Sequence, residues 1–315
     1  MALLVVTVTW GLIRIAPGNF YSSEKKLPPA IEANIRKKYG LDRPVGWQFL
    51  YMLGNITCRT IRTDETTTNG LQFPVAGYEL KCFDFGDSLK YQGQSVNEII
   101  RRHLPYSATM GILAYLLALA VGLTAGIIAA LKQNFLWDYG SMAVAMLGLS
   151  VPNFVFGPIL VLVFALGFYI FPPARWGGIS SLILPVITLS AIYAAYIARL
   201  TRAGMLEVMR SDYIRTARAK GLNEATVLLR HGLRGGIIPV VSFTGPALAG
   251  LLAGTVVVER VFAIPGLGNI FIQAVLNRDE PLVLGIVAFL SILIMIFNLI
   301  VDISYAFLDP RIRYE

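Results

Sequence analysis

Residues Tyr213–Pro239 read YIRTARAKGLNEATVLLRHGLRGGIIP. The stretch is basic, helix-prone and compatible with water. Yet Ser180–Ala198 before it and Ile237–Val258 after it contain no Asp, Glu, Lys or Arg. A membrane span needs about 20 mostly apolar residues, so both neighbours read as spans. A basic hairpin held between two spans is presented to something on one side of the membrane. The competing reading is a solvated loop that only sets topology.

The rest of the chain repeats the pattern. Tyr106–Leu131, Ser141–Pro172 and Pro281–Val301 are equally free of charge. Pro152 and Gly157–Pro158 interrupt Ser141–Pro172, which reads as one kinked or tilted helix, with two short spans, which would invert everything downstream, as the alternative. Ala2–Ile15 is apolar but short of the ~30 Å hydrocarbon core at ~1.5 Å per residue. It reads as a first span whose N-terminal part is missing, with a true interfacial start as the alternative. Only 15% of the 315 residues are charged and 56% are hydrophobic, against roughly 25% charged in soluble domains. The expected fold is an all-α polytopic membrane protein with about six transmembrane helices. The expected organisation is a first helix at 1–15, an external segment at 16–104, a core at 105–308 containing a loop at 199–236, and a tail at 309–315.

Orientation follows from Lys and Arg in short loops. The loop 199–236 carries Arg199, Arg202, Arg210, Arg215, Arg218, Lys220, Arg230 and Arg234 against Glu207, Asp212 and Glu224; the tail adds Arg311 and Arg313. This side is expected to be cytoplasmic, with both termini on it. The net charge of +8 is then mostly topology, and lipids rather than nucleic acid are its surroundings.

In the external segment, Pro29–Tyr39 reads as a short amphipathic helix stopped by a turn at Gly40–Pro44. Gln48–Ile56 reads as a second helix, with Trp47 and Tyr51 at headgroup level. Cys58 and Cys82 are the only cysteines. On an oxidising side they suggest a disulfide, stapling a polar loop, Arg59–Lys81, that has little core of its own; two free thiols are the alternative. With His103 and His231 far away, they make no metal site.

No motif for catalysis appears. There is no G-x-x-x-x-G-K-[ST], H-E-x-x-H, C-x-x-C or G-x-S-x-G, and Gly266-Leu267-Gly268 lacks a dinucleotide motif's third glycine. No catalytic, cofactor-binding or metal-binding residue is expected. Span centres without charges argue against an ion-coupled carrier. Glu259, Arg260 and Asp302 read as charges at span ends. Ser107, Thr109, Ser150, Asn153, Thr188, Ser190, Ser242, Thr244, Ser291 and Asn298 read as helix packing, with a solute path as the alternative.

Within the hairpin, Tyr213–Lys220 has the length of about two helical turns. Gly221 is placed for a left-handed cap. Asn223 caps a second helix, with Glu224 and Thr226 in its first turn. Ala217 and Ala219 leave room for a partner surface.

The hairpin resembles the cytoplasmic E-A-A loop of binding-protein-dependent ABC transporter permeases. Arg215-Thr216-Ala217 stands at E-A-A and Gly221 at the glycine that follows it; Arg215 and His231–Arg234 depart from the general pattern. The form R-T-A-R-A-K-G-L is similar to the variant of the peptide/nickel branch. Its B-type subunit is also resembled by Arg14–Gly18, Tyr39–Pro44, Gly148–Pro152, Val258–Phe262 with Pro265–Gly268, and Asp302–Arg313. The resemblance covers nearly the whole chain. It implies a type I importer fold in a prokaryotic plasma or inner membrane. It implies a homologous C-type permease partner, two ABC ATPases that hold ATP and Mg, and an extracellular or periplasmic solute-binding protein. Arg215, Thr216, Ala217, Arg218, Lys220, Gly221 and Glu224 would then couple to an ATPase, Arg218 by pairing with an acidic residue there. The implied solute is a di- or oligopeptide. Similar permeases take nickel chelates, oligosaccharides or glutathione, and an ATP-independent carrier or channel is the rival of another class.

Overall fold

A backbone in lipid must satisfy its own hydrogen bonds, so long apolar runs become helices. The computed structural model describes residues 2–15, 42–62, 71–75, 78–91, 93–173 and 175–308. The expected helix Pro29–Tyr39, Arg311 and Arg313 lie outside them. Among the described residues, three helices are long and apolar enough to cross a membrane: α3 (Val96–Leu131), α6 (Ile179–Met209), and α11 (Glu280–Leu308) over its stretch Glu280–Ser304. Two bent pairs raise the number to as many as five if each is one span: Leu136–Ser150 with Asn153–Gly167, and the two parts of α9 (Ile238–Val261), bent by 46°. The first helix, α1 (Ala2–Ile15), is apolar but shorter.

Two expectations are sharpened. Leu136–Ser150 (α4) and Asn153–Leu160 (α5), continued by a π-helical turn Val161–Gly167, meet at 106°, far more than a kink. Pro152 begins α5 with φ −59° and ψ 143°, so the helix restarts instead of bending through it. The span read as Ser180–Ala198 continues in α6 to Met209. Arg199–Met209 is built of Arg, Leu, Met, Ala and Glu with one Gly, one Thr and one Val, mostly good helix formers, so leaving the apolar zone does not end the helix.

Chain contacts divide the molecule into two units. In the larger, residues 106–269 and 293–315, α6 is the helix on which others pack. Gly122 and Gly126 of α3 form a G-x-x-x-G stripe against it, the kind of small-residue contact that lets membrane helices touch backbones. A Cβ at Gly122 would lie 2.7 Å from Ile197 Cβ, and one at Gly126 would lie 2.6 Å from the Ala198 carbonyl. Gly148 of α4 meets the Ala191 carbonyl in the same way, at 2.8 Å. The core beside these contacts joins Met110, Leu184, Leu189, Leu251, Phe262 and Ile264.

One corner of this unit holds a buried charge that the sequence reading treated as a span-end residue. Glu259 is fully buried. Its carboxylate accepts from the Ser107 hydroxyl at 2.6 Å and from the Asn269 N–H at 2.9 Å. Ser107 in turn accepts from the Leu267 N–H at 2.8 Å. The carboxylate thus serves the open amides that begin α10 (Leu267–Leu276), where the helix dipole favours negative charge. Gly266 leaves the space: a Cβ there would collide with the carboxylate.

The smaller unit, residues 1–105 and 270–292, contains α2 (Val45–Ile56), where the sequence placed a helix from Gln48. Trp47 stacks on Tyr51 at 5.0 Å between ring centres, and Arg43 lies over Trp47. The stretch expected to be a polar loop is instead a small antiparallel sheet. Its strands are β1 (Cys58–Arg62), β2 (Leu71–Val75) and β3 (Tyr78–Cys82), in the order β1-β3-β2. The backbone pairs Leu71 with Cys82, Phe73 with Leu80 and Val75 with Tyr78. In the sequence, Leu71, Phe73 and Val75 alternate with Gln72 and Pro74, a strand signal which the overall polarity of the segment hides. Pro74 falls on an edge strand, where its missing N–H is tolerated.

After the sheet, the turn around Ser88–Tyr91 docks on Asp279, which is fully buried just before α11. Asp279 accepts from the Ser88 hydroxyl and from the N–H groups of Leu89 (3.1 Å), Lys90 (3.2 Å) and Leu282 (3.3 Å). Burial, and after it the charge of Asp279, holds the neighbouring Tyr91 phenol above its ordinary range. Asp279→Ala would leave these donors without an acceptor, at about 1–3 kcal/mol for each that stays buried. Hydrogen exchange followed by mass spectrometry is expected to show the Leu89 and Lys90 amides exchanging about tenfold faster or more. Unchanged protection there would refute the docking role of Asp279.

Candidate functional site: the basic hairpin

The basic stretch forms two short helical runs that fold back on the end of α6. The first is α7 (Asp212–Ala219) and the second, α8, covers 224–236 and includes a π-helical turn, Val227–Gly232. The turn between them is the one the sequence suggests. Gly221 has φ +78°, a left-handed conformation that a side chain strains. Its N–H reaches the Arg218 carbonyl at 2.9 Å, closing α7. The Asn223 side chain accepts from the Thr226 N–H at 2.7 Å and caps α8.

A small core holds the two runs together. Ile214, Ala217 and Val227 are buried, with Val208 of α6 packed against them. Ala217 therefore faces inward and supports the hairpin, whereas Ala219 is exposed. Arg215, Thr216, Arg218, Lys220, Gly221 and Glu224 are exposed around the turn. They form a mostly basic tip. Arg218 donates to Glu224 at 2.8 Å and Arg215 to Asp212 at 3.3 Å. Exposed pairs of this kind are worth about 0–1 kcal/mol, so an acidic partner could take Arg218 over at little energetic loss.

The seat of the hairpin is made by glycines. A Cβ at Gly204 of α6 would collide with the Gly236 carbonyl. One at Gly236 would lie 2.5 Å from Met205 Sδ, one at Gly232 2.9 Å from Met209 Sδ, and one at Gly235 3.0 Å from Val208. The hairpin is thus fitted to the last turns of α6 with no slack. Two further polar ties, which sequence reasoning missed, join α6 to the turn between α3 and α4. Arg202, read as a topology charge, forms a two-pronged ion pair with buried Asp138. Arg210 donates to Gln133 at 3.0 Å. The only signal was a single Asp at the start of an apolar helix, many residues from its partner.

The hydroxyls named for packing or a path mostly bond to their own helices. Thr188 donates to the Leu184 carbonyl, Ser190 to Ile187, Ser242 to Ile238 and Ser150 to Met146. Thr244 bonds to the Val240 carbonyl and pairs with the Tyr115 hydroxyl at 2.6 Å. Among the described residues no group of three or more His, Cys, Asp or Glu is arranged to hold a metal ion. Backbone pairing sets Cys58 opposite Cys82; their side chains lie outside the description.

Residues 122–314 match the family described as binding-protein-dependent transport system inner membrane component. The oligopeptide transport system permease protein OppB of Haemophilus influenzae is 41% identical over 313 residues, covering 99% of this chain and 94% of that protein. OppB of Escherichia coli K12 is 40% identical over the same lengths. The dipeptide transport system permease protein DppB of Bacillus subtilis is 36% identical over 311 residues, 99% of this chain and 93% of the relative. Among solved structures, inward-facing forms of the MetNI methionine ABC transporter align with TM-scores of 0.55 and 0.57 at 18% and 16% identity. Each alignment covers 67% of this chain and 96% of the other. These show a shared fold.

The glycine seat yields a direct test. Gly204→Ala is expected to push α8 off α6, at about 1–3 kcal/mol or more. Limited trypsin digestion should then cut within 210–234 several-fold faster than in the wild type. Gly140→Ala, where nothing lies within 4 Å, should digest like the wild type. Equal digestion of both variants would refute the close fit.

Proposed function

The chain belongs to the family of binding-protein-dependent transport system inner membrane components, and we propose that its hairpin couples ATP hydrolysis in partner subunits to movement of a peptide. It is the permease subunit of a peptide importer of the ABC class. The observation that carries this is 36–41% identity, over 99% of the chain, to permeases of oligopeptide and dipeptide transport systems. The chain works as a transporter subunit and not as an enzyme.

The partners are part of the proposal. A homologous C-type permease completes the membrane portion. Two ABC ATPases hold ATP and Mg, and a solute-binding protein delivers the peptide from outside. The absence of a G-x-x-x-x-G-K-[ST] sequence from this chain supports assigning ATP to the partners. In this reading the hairpin and both termini lie on the cytoplasmic side of a prokaryotic cell membrane. Residues 16–104 lie outside and 105–308 form the translocation core. The surplus of Arg and Lys between α6 and α9 supports that orientation.

The tip around Gly221 is then the contact with an ATPase. Arg215, Thr216, Arg218, Lys220 and Glu224 supply its surface, Ala217 its support, and Gly221 the turn. The complete complex in liposomes, with the binding protein present, is expected to take up a labelled tripeptide only when ATP is supplied. Gly221→Val forces a β-branched side chain into φ +78°. It should leave ATP hydrolysis in place and lower uptake about tenfold, a coupling loss of ~1.4 kcal/mol. Wild-type uptake by that variant would count against the tip. ATP-independent uptake by the wild type would count against the importer itself.

The external sheet supports a second, smaller proposal, a disulfide between Cys58 and Cys82. Residues facing each other in an antiparallel ladder have Cα atoms ~4.5–5.5 Å apart, inside the ~4.4–6.8 Å range of disulfides. Closing that loop would contribute about 3 kcal/mol in a chain-entropy model. Digestion without reductant should give one cross-linked peptide pair containing Cys58 and Cys82; two alkylatable thiols in protein from an oxidising compartment would sink the proposal.

A further inference from the structure

Among the described residues, the shortest ion pair of the larger unit lies away from the hairpin tip. Asp138 is only 2% exposed. Arg202 Nε reaches Asp138 Oδ1 at 2.7 Å and Arg202 Nη2 reaches Oδ2 at 2.7 Å. Oδ2 also accepts from the Asn134 N–H at 3.1 Å, in a turn where Asn134 itself has φ +64°. The turn between α3 and α4 is therefore folded around the same carboxylate that grips α6.

Burying such a pair gives little net stability, since desolvation offsets most of the attraction. What a guanidinium and carboxylate joined by two parallel bonds do supply is a fixed geometry. That geometry matters because of what lies on either side of it. Two residues beyond Arg202 on α6, Gly204 begins the seat on which the hairpin is fitted without slack. On the other side, α4 leaves Asp138 and runs along α6, touching it again where Gly148 meets the Ala191 carbonyl. Arg210 ties Gln133 of the same turn to the very end of α6. Hairpin, α6 and α4 are thus fastened at both ends of their contact.

We propose that Asp138 and Arg202 are positioning residues of coupling: their two-pronged ion pair makes the α3–α4 turn move with the hairpin, so that a displacement of the hairpin is delivered to α4 as well as to α6. The proposal rests on the coupling role of the hairpin. Without the clamp, α6 still moves with the hairpin through its glycine seat, but α4 no longer follows in register. ATP is then hydrolysed without a matching movement of the helices.

The test uses the complete complex in liposomes, with ATP hydrolysis and tripeptide uptake measured together. Asp138→Asn removes the charge and keeps the shape. Arg202→Lys keeps the charge and loses the fork. Both are expected to assemble and hydrolyse ATP within about twofold of the wild type, while peptide delivered per ATP falls about tenfold. The exchange Asp138→Arg with Arg202→Asp should recover part of that ratio. A merely structural role would lower assembly and hydrolysis together and leave the ratio of peptide to ATP unchanged, and that result overturns the proposal. If Asp138→Asn does not assemble, the ratio in Arg202→Lys decides: a wild-type value overturns the proposal and a lowered one supports it. A wild-type complex without ATP-driven uptake would instead remove the coupling reading on which the proposal stands.

Discussion

Helix α6 is approached by other elements to distances at which only glycine fits, and the fold of the larger unit depends on that closeness. In lipid there is little hydrophobic force to press apolar helices together. Close van der Waals contact of backbones is what remains. Gly122 and Gly126 of α3, Gly148 of α4 and Gly236 of the hairpin supply it against one helix, Gly204 supplies it from α6 itself, and Gly232 and Gly235 pack on the side chains of Met209 and Val208. The first three contacts lie along its apolar length; the others lie beyond it, where α6 continues to Met209. A single helix therefore carries the packing of the spans and the seat of the basic hairpin. That continuity gives the hairpin a mechanical connection to the membrane part, which a flexible loop of the same composition would lack.

Much of this is legible in the sequence because two simple signals dominate it. Charge-free runs mark the spans, and Gly221 with Asn223 marks the turn of the hairpin; the structure shows φ +78° at the one and a capping bond from the other. Signals that need a partner far along the chain were not legible. Asp138 and Arg202 each look like an ordinary charge beside an apolar helix. Glu259 looks like a span-end residue until Ser107 and the amides of α10 are brought to it. The end of α6 was misplaced for a different reason. Hydropathy marks where lipid ends, and helix propensity, which continues through Arg199–Met209, marks where the helix ends. The small sheet was hidden because apolar residues alternate with others in β2 and β3, and average polarity cancels an alternation of period two.

The hairpin shows how an exposed tip and its support divide a short sequence. Residues at the tip are exposed and basic, and their ion pairs within the chain are weak enough to be exchanged. Ile214, Ala217 and Val227 face the other way and fix the angle between the two runs. An alanine in the middle of a recognition motif is easily read as room for a partner. Here Ala217 is room for the hairpin's own second run, and the surface offered outward begins with its neighbours.

Among the described residues three carboxylates, Asp138, Glu259 and Asp279, are buried, each at a joint of the fold. Each accepts hydrogen bonds at both oxygens: from Arg202 and the Asn134 amide, from Ser107 and the Asn269 amide, and from Ser88 with the amides of Leu89, Lys90 and Leu282. Each lies at or beside the beginning of a helix, where free amides and the helix dipole meet a negative charge. Apolar side chains of similar size in place of the Asp138–Arg202 pair would hold that joint about as tightly, whereas at Glu259 and Asp279 they would leave buried amides without an acceptor. They would not fix direction, because apolar contacts permit sliding and hydrogen bonds to a carboxylate do not. A membrane protein built from interchangeable apolar helices has many packings of nearly equal energy. Carboxylates placed where only one arrangement satisfies every donor remove most of those alternatives. The few buried charges therefore set the registry of the chain, and the glycines set its tightness.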